Sequence, residues 1–144
     1  GLRELLSRMG ADAQVICGDA LEVDLEGGYD AVLLDPPCTG TGVLSARPDA
    51  RWRRREESLP GLVALQSALL ERALRLVVPG GRVIYSTCSL LRAENESIVA
   101  AAGRVVEDLV PLAPEAAHPE LPGALRTLPS VHGTDGFFIA RLAA

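Results

Sequence analysis

Ala31-Val32-Leu33-Leu34 and Val83-Ile84-Tyr85 are two short strand-type runs. Between them Leu62, Leu65, Leu69 and Ala73 recur at helical spacing, over a stretch from about Leu59 to Val78. Strand, long helix, strand is the signature of an α/β sheet. Each run also ends on a cysteine tract. The first continues as Asp35-Pro36-Pro37-Cys38-Thr39-Gly40-Thr41-Gly42 and the second as Ser86-Thr87-Cys88-Ser89. Ligands of open α/β sheets collect beyond the carboxyl ends of strands, so Cys38, Cys88 and Asp35 are expected to share one cleft. That combination points to covalent chemistry by a thiolate with a second thiol assisting.

The remaining pattern extends the α/β reading. Leu2, Leu5, Leu6 and Met9 fall on one helical face with Gly10 as a stop. Gln14-Val15-Ile16-Cys17 reads as a short buried strand ending at Gly18-Asp19-Ala20, with Cys17 as core filler. Pro79-Gly80-Gly81 ends the long helix and starts the second strand. A further helix is expected from about Ala93 to Leu109, with Glu94 and Glu96 in a solvated first turn. Pro111 to Asp135 reads as a long loop, and Phe137-Phe138-Ile139-Ala140 as a last strand.

Size and composition set outer bounds. A chain of 144 residues with 48% hydrophobic content suits one domain with a core. No stretch approaches the roughly 18 uninterrupted apolar residues of a membrane span. Three cysteines, Cys17, Cys38 and Cys88, form no disulfide framework, which fits a reducing, cytoplasmic setting. No two of them are close in sequence, and His118 and His132 lack ligand spacing, so no metal site is expected. The net charge of −5 argues weakly against nucleic acid, yet the cations, all arginine, are clustered: Arg51, Arg53, Arg54 and Arg55 flank Trp52. The bland reading is a solvated loop paired with Glu56 and Glu57; the alternative is an RNA-backbone contact, with Trp52 a packing anchor rather than a base stacker. Residue 1 is Gly, and a helix face begins at Leu2 without a preceding cap, strand or glycine-rich turn. The expectation is a chain cut from a longer one.

Asp-Pro-Pro-Cys-Thr-Gly-Thr-Gly followed some fifty residues on by Ser-Thr-Cys-Ser closely resembles the RNA cytosine-C5 methyltransferases of the NOL1/NOP2/Sun group. Arg47-Pro48-Asp49, Trp52, Leu65-Gln66 and Gly133-Thr134-Asp135-Gly136-Phe137-Phe138 are similar to its bacterial RsmB (Sun) branch, which modifies 16S ribosomal RNA. The resemblance runs from about Val15 to Leu142. It implies a Rossmann-like, S-adenosylmethionine-dependent fold of class I, N-terminally truncated, with the first strands and the glycine-rich donor motif missing. Residues 1–144 are then part of one catalytic domain.

The resemblance also implies roles. Carbon 5 of cytosine is a poor nucleophile, and a thiolate adding to carbon 6 turns the ring into an enamine able to attack a methyl donor. Cys88 is the implied nucleophile and Cys38 the base that lets the adduct collapse. Asp35 is implied to contact the cytosine edge or the donor, with Asp19, Asp35 and Pro36 at the S-adenosylmethionine site. The bland readings are an Asx turn for Asp19 and a buried structural thiol for Cys88. The substrate implied is unpaired or flipped RNA, ribosomal or transfer, met by a monomer. Three other functions stay open: an RNA-binding remnant without catalysis, an amino-group methyltransferase of the Asp-Pro-Pro type, which places an aromatic residue where Cys38 stands, and a thiol oxidoreductase, which the lack of any Cys-x-x-Cys disfavours.

Overall fold

A computed structural model describes residues 1–53 and 55–144, with Ala50 and Arg53 described by backbone alone. In chain order the regular elements are α1 (Leu2–Arg8), β1 (Tyr29–Leu34), α2 (Ala50–Arg53), α3 (Leu59–Leu76), β2 (Val77–Thr87) and α4 (Glu96–Ala101). Then come β3 (Val106–Glu107), β4 (Leu125–Arg126), α5 (Pro129–His132) and β5 (Phe138–Ala143). The strands form one sheet in the order β1-β2-β5-β3, with β4 also paired to β5.

The strand–helix–strand unit is present. β1 and β2 pair in parallel, Leu33 opposite Ile84 and Leu34 opposite Tyr85. Asp35 and Cys88 are therefore the first residues beyond the carboxyl ends of adjacent strands. β5 is antiparallel to β2, which makes the sheet mixed. It reaches β2 from the 111–135 segment without a helical crossover, and only a parallel return needs one.

Alternation along β2 and β5 turns Val83, Tyr85 and Thr87 and their partners Leu142, Ala140 and Phe138 to one buried face. Leu70 and Ala73 of α3 and Ile98 and Val99 of α4 complete that core. Truncating a buried aromatic such as Phe138 to alanine in a core of this kind costs about 3–5 kcal/mol. Among the described residues no helix is long and apolar enough to cross a membrane.

Several expectations are corrected. Gln14–Cys17 forms no strand: no ladder partner reaches it among the described residues, and Ile16 and Cys17 are exposed, so Cys17 is not core filler. α1 forms, but Leu2, Leu5 and Met9 on its apolar face are exposed. β1 stands at the sheet edge with Leu33 72% exposed. α3 ends at Leu76, and Pro79-Gly80-Gly81 lies inside β2, where the pairing with β1 shifts between Tyr29 and Ala31.

The helix expected over 93–109 is a 3-10 turn at Arg92–Glu94 followed by the six-residue α4. Asn95, at φ −121° and ψ −94°, interrupts the two, and Gly103 at φ 61° follows the end of α4. The 111–135 segment is not a bare loop. It carries two 3-10 turns, β4 and α5, and buried His118 holds it: its Nε2 lies 2.8 Å from Glu96 Oε1, while the N–H groups of Glu120 and Leu121 donate to its Nδ1.

Candidate active site

The Cys38 tract leaves β1 with Asp35 exposed and Pro36 buried, then turns at Gly40, whose left-handed φ of 58° suits glycine. Gly42 has a different reason to be glycine. Its N–H donates to the Cys88 carbonyl at 2.9 Å and its own carbonyl accepts from Gly136 at 2.9 Å. A β-carbon there would sit 2.1 Å from the Gly136 oxygen. Three tracts separated in sequence thus meet backbone to backbone, and the two cysteine loops are drawn together.

The result is a Cys38–Cys88 Sγ···Sγ distance of 3.5 Å, with both thiols half-buried. They line a cleft of about 670 Å3 together with Asp35, Pro36, Arg47 and Phe137. The shared cleft expected from the two strand ends is present. Asp35 accepts no hydrogen bond from the described residues, so its exposed carboxylate is free to engage a ligand.

The thiols are electrostatically coupled. The Cys38 thiol is pushed up to about 12. Burial contributes most, then the hydrogen bond to Cys88, then negative charge on Cys88; backbone N–H groups of Gly40 and Cys88 pull the other way. At neutral pH Cys38 is a thiol.

Residues that sequence reasoning assigned to solvent build the frame. Glu94, fully buried, accepts four hydrogen bonds. Its Oε1 takes Thr39 N–H at 2.8 Å and Gln66 Nε2 at 2.9 Å, and its Oε2 takes the Thr39 and Ser89 hydroxyls at 2.5 Å each. Asn95, also buried, accepts from Thr87 Oγ1 at 2.6 Å and donates to the Ser89 carbonyl at 2.8 Å, clamping the residues on either side of Cys88. Gln66 also donates to the Pro37 carbonyl at 2.8 Å. The solvated helix start expected at Glu94 is therefore wrong. Two acidic residues flanking an asparagine look like a helix's first turn, and no local pattern distinguishes a carboxylate that meets four distant donors. Two signals were available: the family the sequence resembles carries a similar acidic–Asn pair there, and several hydroxyl residues surround both cysteines, each a donor in need of a buried acceptor.

The other candidates are less closely assembled. Asp19 is exposed, and its Oδ1 accepts the Leu21 N–H at 2.8 Å, which is an Asx turn. Among the described residues, none donates to its second oxygen. Arg72 of α3 ties down the following segment by donating to the Leu21 carbonyl at 2.5 Å and to that of Val23. Arg51 and Arg55 are exposed, whereas Arg54 and the Arg53 side chain lie outside the described residues. Trp52 is 86% exposed and packs nothing together, contrary to the anchor expected. Arg47 and Phe137 line the cleft and were not singled out as site residues.

Comparison with known proteins identifies relatives of the chain. A family model described as 16S rRNA methyltransferase RsmB/F matches residues 1–143. The chain is 40% identical to ribosomal RNA small subunit methyltransferase B of Xylella fastidiosa, over 96% of its own length and 34% of the relative's. Two solved structures are similar: "Crystal Structure of PH0851", at 36% identity and TM-score 0.91, and "The crystal structure of NSun6 from Pyrococcus horikoshii with SFG", at 31% and 0.84. Each covers 99% of this chain, which spans 34% of the first and 37% of the second. The chain spans about a third of the length of the first curated relatives it matches.

Proposed function

The chain belongs to the 16S rRNA methyltransferase RsmB/F family, with a Rossmann-like α/β fold, and on that premise we propose that it carries the two-thiol centre of an RNA cytosine-C5 methyltransferase. The observation that carries the reading is the 3.5 Å pairing of Cys38 with Cys88 in a cleft that also holds Asp35. Direct methylation of an exocyclic amine has no use for a second thiol beside the first.

In this reading the Cys88 thiolate adds to carbon 6 of a flipped cytosine, and the ring electron pair moves to carbon 5. S-adenosylmethionine, when bound, supplies the electrophilic methyl group that carbon 5 takes. Asp35 suits an amino or hydroxyl donor on either ligand, since its carboxylate is exposed and accepts no hydrogen bond from the described residues. Pro36 gives that site a rigid wall, and the second oxygen of Asp19 offers a further acceptor. Cys38, having lost its own thiol proton to solvent once the Cys88 sulfur is a thioether, then takes the proton from carbon 5. The carbon–hydrogen electron pair restores the ring double bond as the sulfur–carbon 6 bond breaks, and that bond's electron pair returns to Cys88.

The coupling of the thiols times these steps. While Cys88 carries charge, Cys38 is kept protonated. Once the Cys88 sulfur is a neutral thioether, that repulsion and the thiol–thiolate hydrogen bond are gone, and Cys38 can act as base. Exposed Arg51 and Arg55, together with Arg53 and Arg54, contribute phosphate contacts that steer RNA toward the cleft, and Arg47 adds a cation at its wall.

The test uses methyl-labelled donor and 16S ribosomal RNA, with the chain alone and grafted into a full-length relative in place of the matching segment. Cys88→Ala abolishes methylation and gives no adduct. Cys38→Ala methylates once and stalls as an RNA adduct that survives denaturing electrophoresis and yields to protease. Adduct in Cys88→Ala but not in Cys38→Ala reverses the assignment, and adduct in neither removes the release role from Cys38.

A further inference from the structure

We propose that Glu94 is a positioning residue for the thiol pair: its buried carboxylate ties the residue after Cys38 to the residue after Cys88 and so sets the sulfur–sulfur separation. The inference rests on reading Cys38 and Cys88 as the reactive pair.

The geometry is specific to Glu94. Thr39 follows Cys38 directly and Ser89 follows Cys88 directly, and each donates its hydroxyl to the same carboxylate oxygen at 2.5 Å. Thr39 adds its backbone N–H to the other oxygen at 2.8 Å, which fixes the chain as well as the side chain. Gln66 of α3 holds the carboxylate on its far side and reaches the Pro37 carbonyl just before Cys38. Four donors meet two oxygens, so the buried charge is fully engaged and has no spare capacity to shift. Asn95 does not duplicate this tie, because both of its bonds go to the Cys88 turn alone. The Thr39 and Ser89 hydroxyls also lie 3.1 Å apart, but each has committed its single proton to Glu94, so the carboxylate holds that contact together. The remaining links between the loops, Thr41 Oγ1 to Ser89 Oγ at 3.3 Å, Gly42 N–H to the Cys88 carbonyl and Leu90 N–H to Thr41 Oγ1, lie two or more residues beyond Cys38. They bring the tracts together and leave the orientation of Cys38 to Glu94.

The effective concentration of one thiol toward the other measures this placement without reference to methylation. It is read in glutathione redox buffers: both thiols are oxidised to an intrachain disulfide while oxidised glutathione is cleaved and reduced to two glutathione molecules, which take up the protons. Cys17→Ser removes the exposed third thiol from every variant. We expect Glu94→Ala to lower the effective concentration about tenfold or more, because the entropy of an unpinned loop must then be overcome. Glu94→Gln keeps the acceptor for Thr39 N–H and a polar group beside both hydroxyls, and restores the value to within about threefold. A carboxylate that only stabilises the fold would change the melting temperature and leave thiol coupling in the folded protein untouched.

If Glu94→Ala does not fold, Thr39→Val and Ser89→Ala take its place and are expected to lower the coupling by about threefold each. Both remove a hydroxyl that donates to Glu94 along with the Thr39–Ser89 contact, and Ser89→Ala also removes the contact with Thr41 and the acceptor of the Leu91 N–H. Native coupling in folded Glu94→Ala, or in both of these variants, overturns the proposal. In the grafted enzyme, Glu94→Ala lowers kcat with little change in KM for RNA. Absence of methylation in the native graft, with the thiol coupling still dependent on Glu94, overturns the proposed function and leaves the positioning role standing.

Discussion

Replacing Cys88 by serine should make Cys38 a stronger acid. The substitution keeps the volume and a hydrogen-bonding group next to Cys38 but removes the ionisable neighbour. Two thiolates 3.5 Å apart repel by about 5 kcal/mol at an effective dielectric near 20. Both sulfurs are half-buried and open to water on one side, so screening reduces this to about 1.5–3 kcal/mol, or one to two pKa units. Burial, the largest cause of the upward shift, remains. The titration midpoint of Cys38 should therefore fall from about 12 toward about 10–11, still above an ordinary thiol.

At a fixed pH of 8 the thiolate fraction then rises about 10- to 100-fold. The less basic thiolate is also a weaker nucleophile, and the net gain in alkylation rate is about 3- to 16-fold. The assay is iodoacetamide labelling at low conversion from pH 7 to 12. Mass spectrometry follows the Cys38 peptide, and exposed Cys17 serves as internal reference. A pH midpoint separates acidity from access, since easier access raises the plateau without moving the midpoint. An unchanged or higher midpoint in Cys88→Ser would refute the coupling and with it the timing argument for Cys38 as base.

Gly42→Ala should destabilise the chain by about 2 kcal/mol or more and loosen the thiol pair, because the new methyl meets the Gly136 carbonyl and the Cys88 carbonyl; denaturant melts and the glutathione measurement check both effects. Tyr85→Phe removes a 2.6 Å hydrogen bond from a buried phenol to the Glu94 carbonyl, and urea unfolding should show a loss of about 1–3 kcal/mol. A Cys38 pKa raised in the folded state, against 9.0 in the unfolded chain, means that the folded form holds the proton longer. Its stabilising contribution is complete below pH 9 and is lost as pH rises toward about 12, so the native chain should lose more stability over that window than Cys38→Ser does.

Much of the site was legible before any coordinates because its chemistry is written into local runs. An apolar strand run that stops at Asp-Pro-Pro-Cys, a helical repeat and a second run that stops at Ser-Thr-Cys-Ser suffice to bring two thiols and an aspartate to one sheet edge. Periodicity reports which face of an element is apolar, and that alone gave β1, α3, β2 and the last strand. The same reasoning failed at Gln14–Cys17, where an apolar run exists but no neighbour supplies a ladder. A strand is made by its partner as much as by its residues.

What only tertiary structure decided is the polar frame. Whether Glu94 meets water or four donors depends on where Thr39, Gln66 and Ser89 arrive, and those residues lie up to 55 positions away in sequence. The Gly42–Gly136 contact is likewise invisible in either tract alone, since each glycine is required by the other's backbone. The acidity of Cys38 belongs to this class as well, because it follows from burial and from one sulfur 3.5 Å away. Sequence determines which groups are available and which way each element faces. Distances between groups on different elements arise only when the elements pack, and hydrogen bonding and charge coupling depend on those distances.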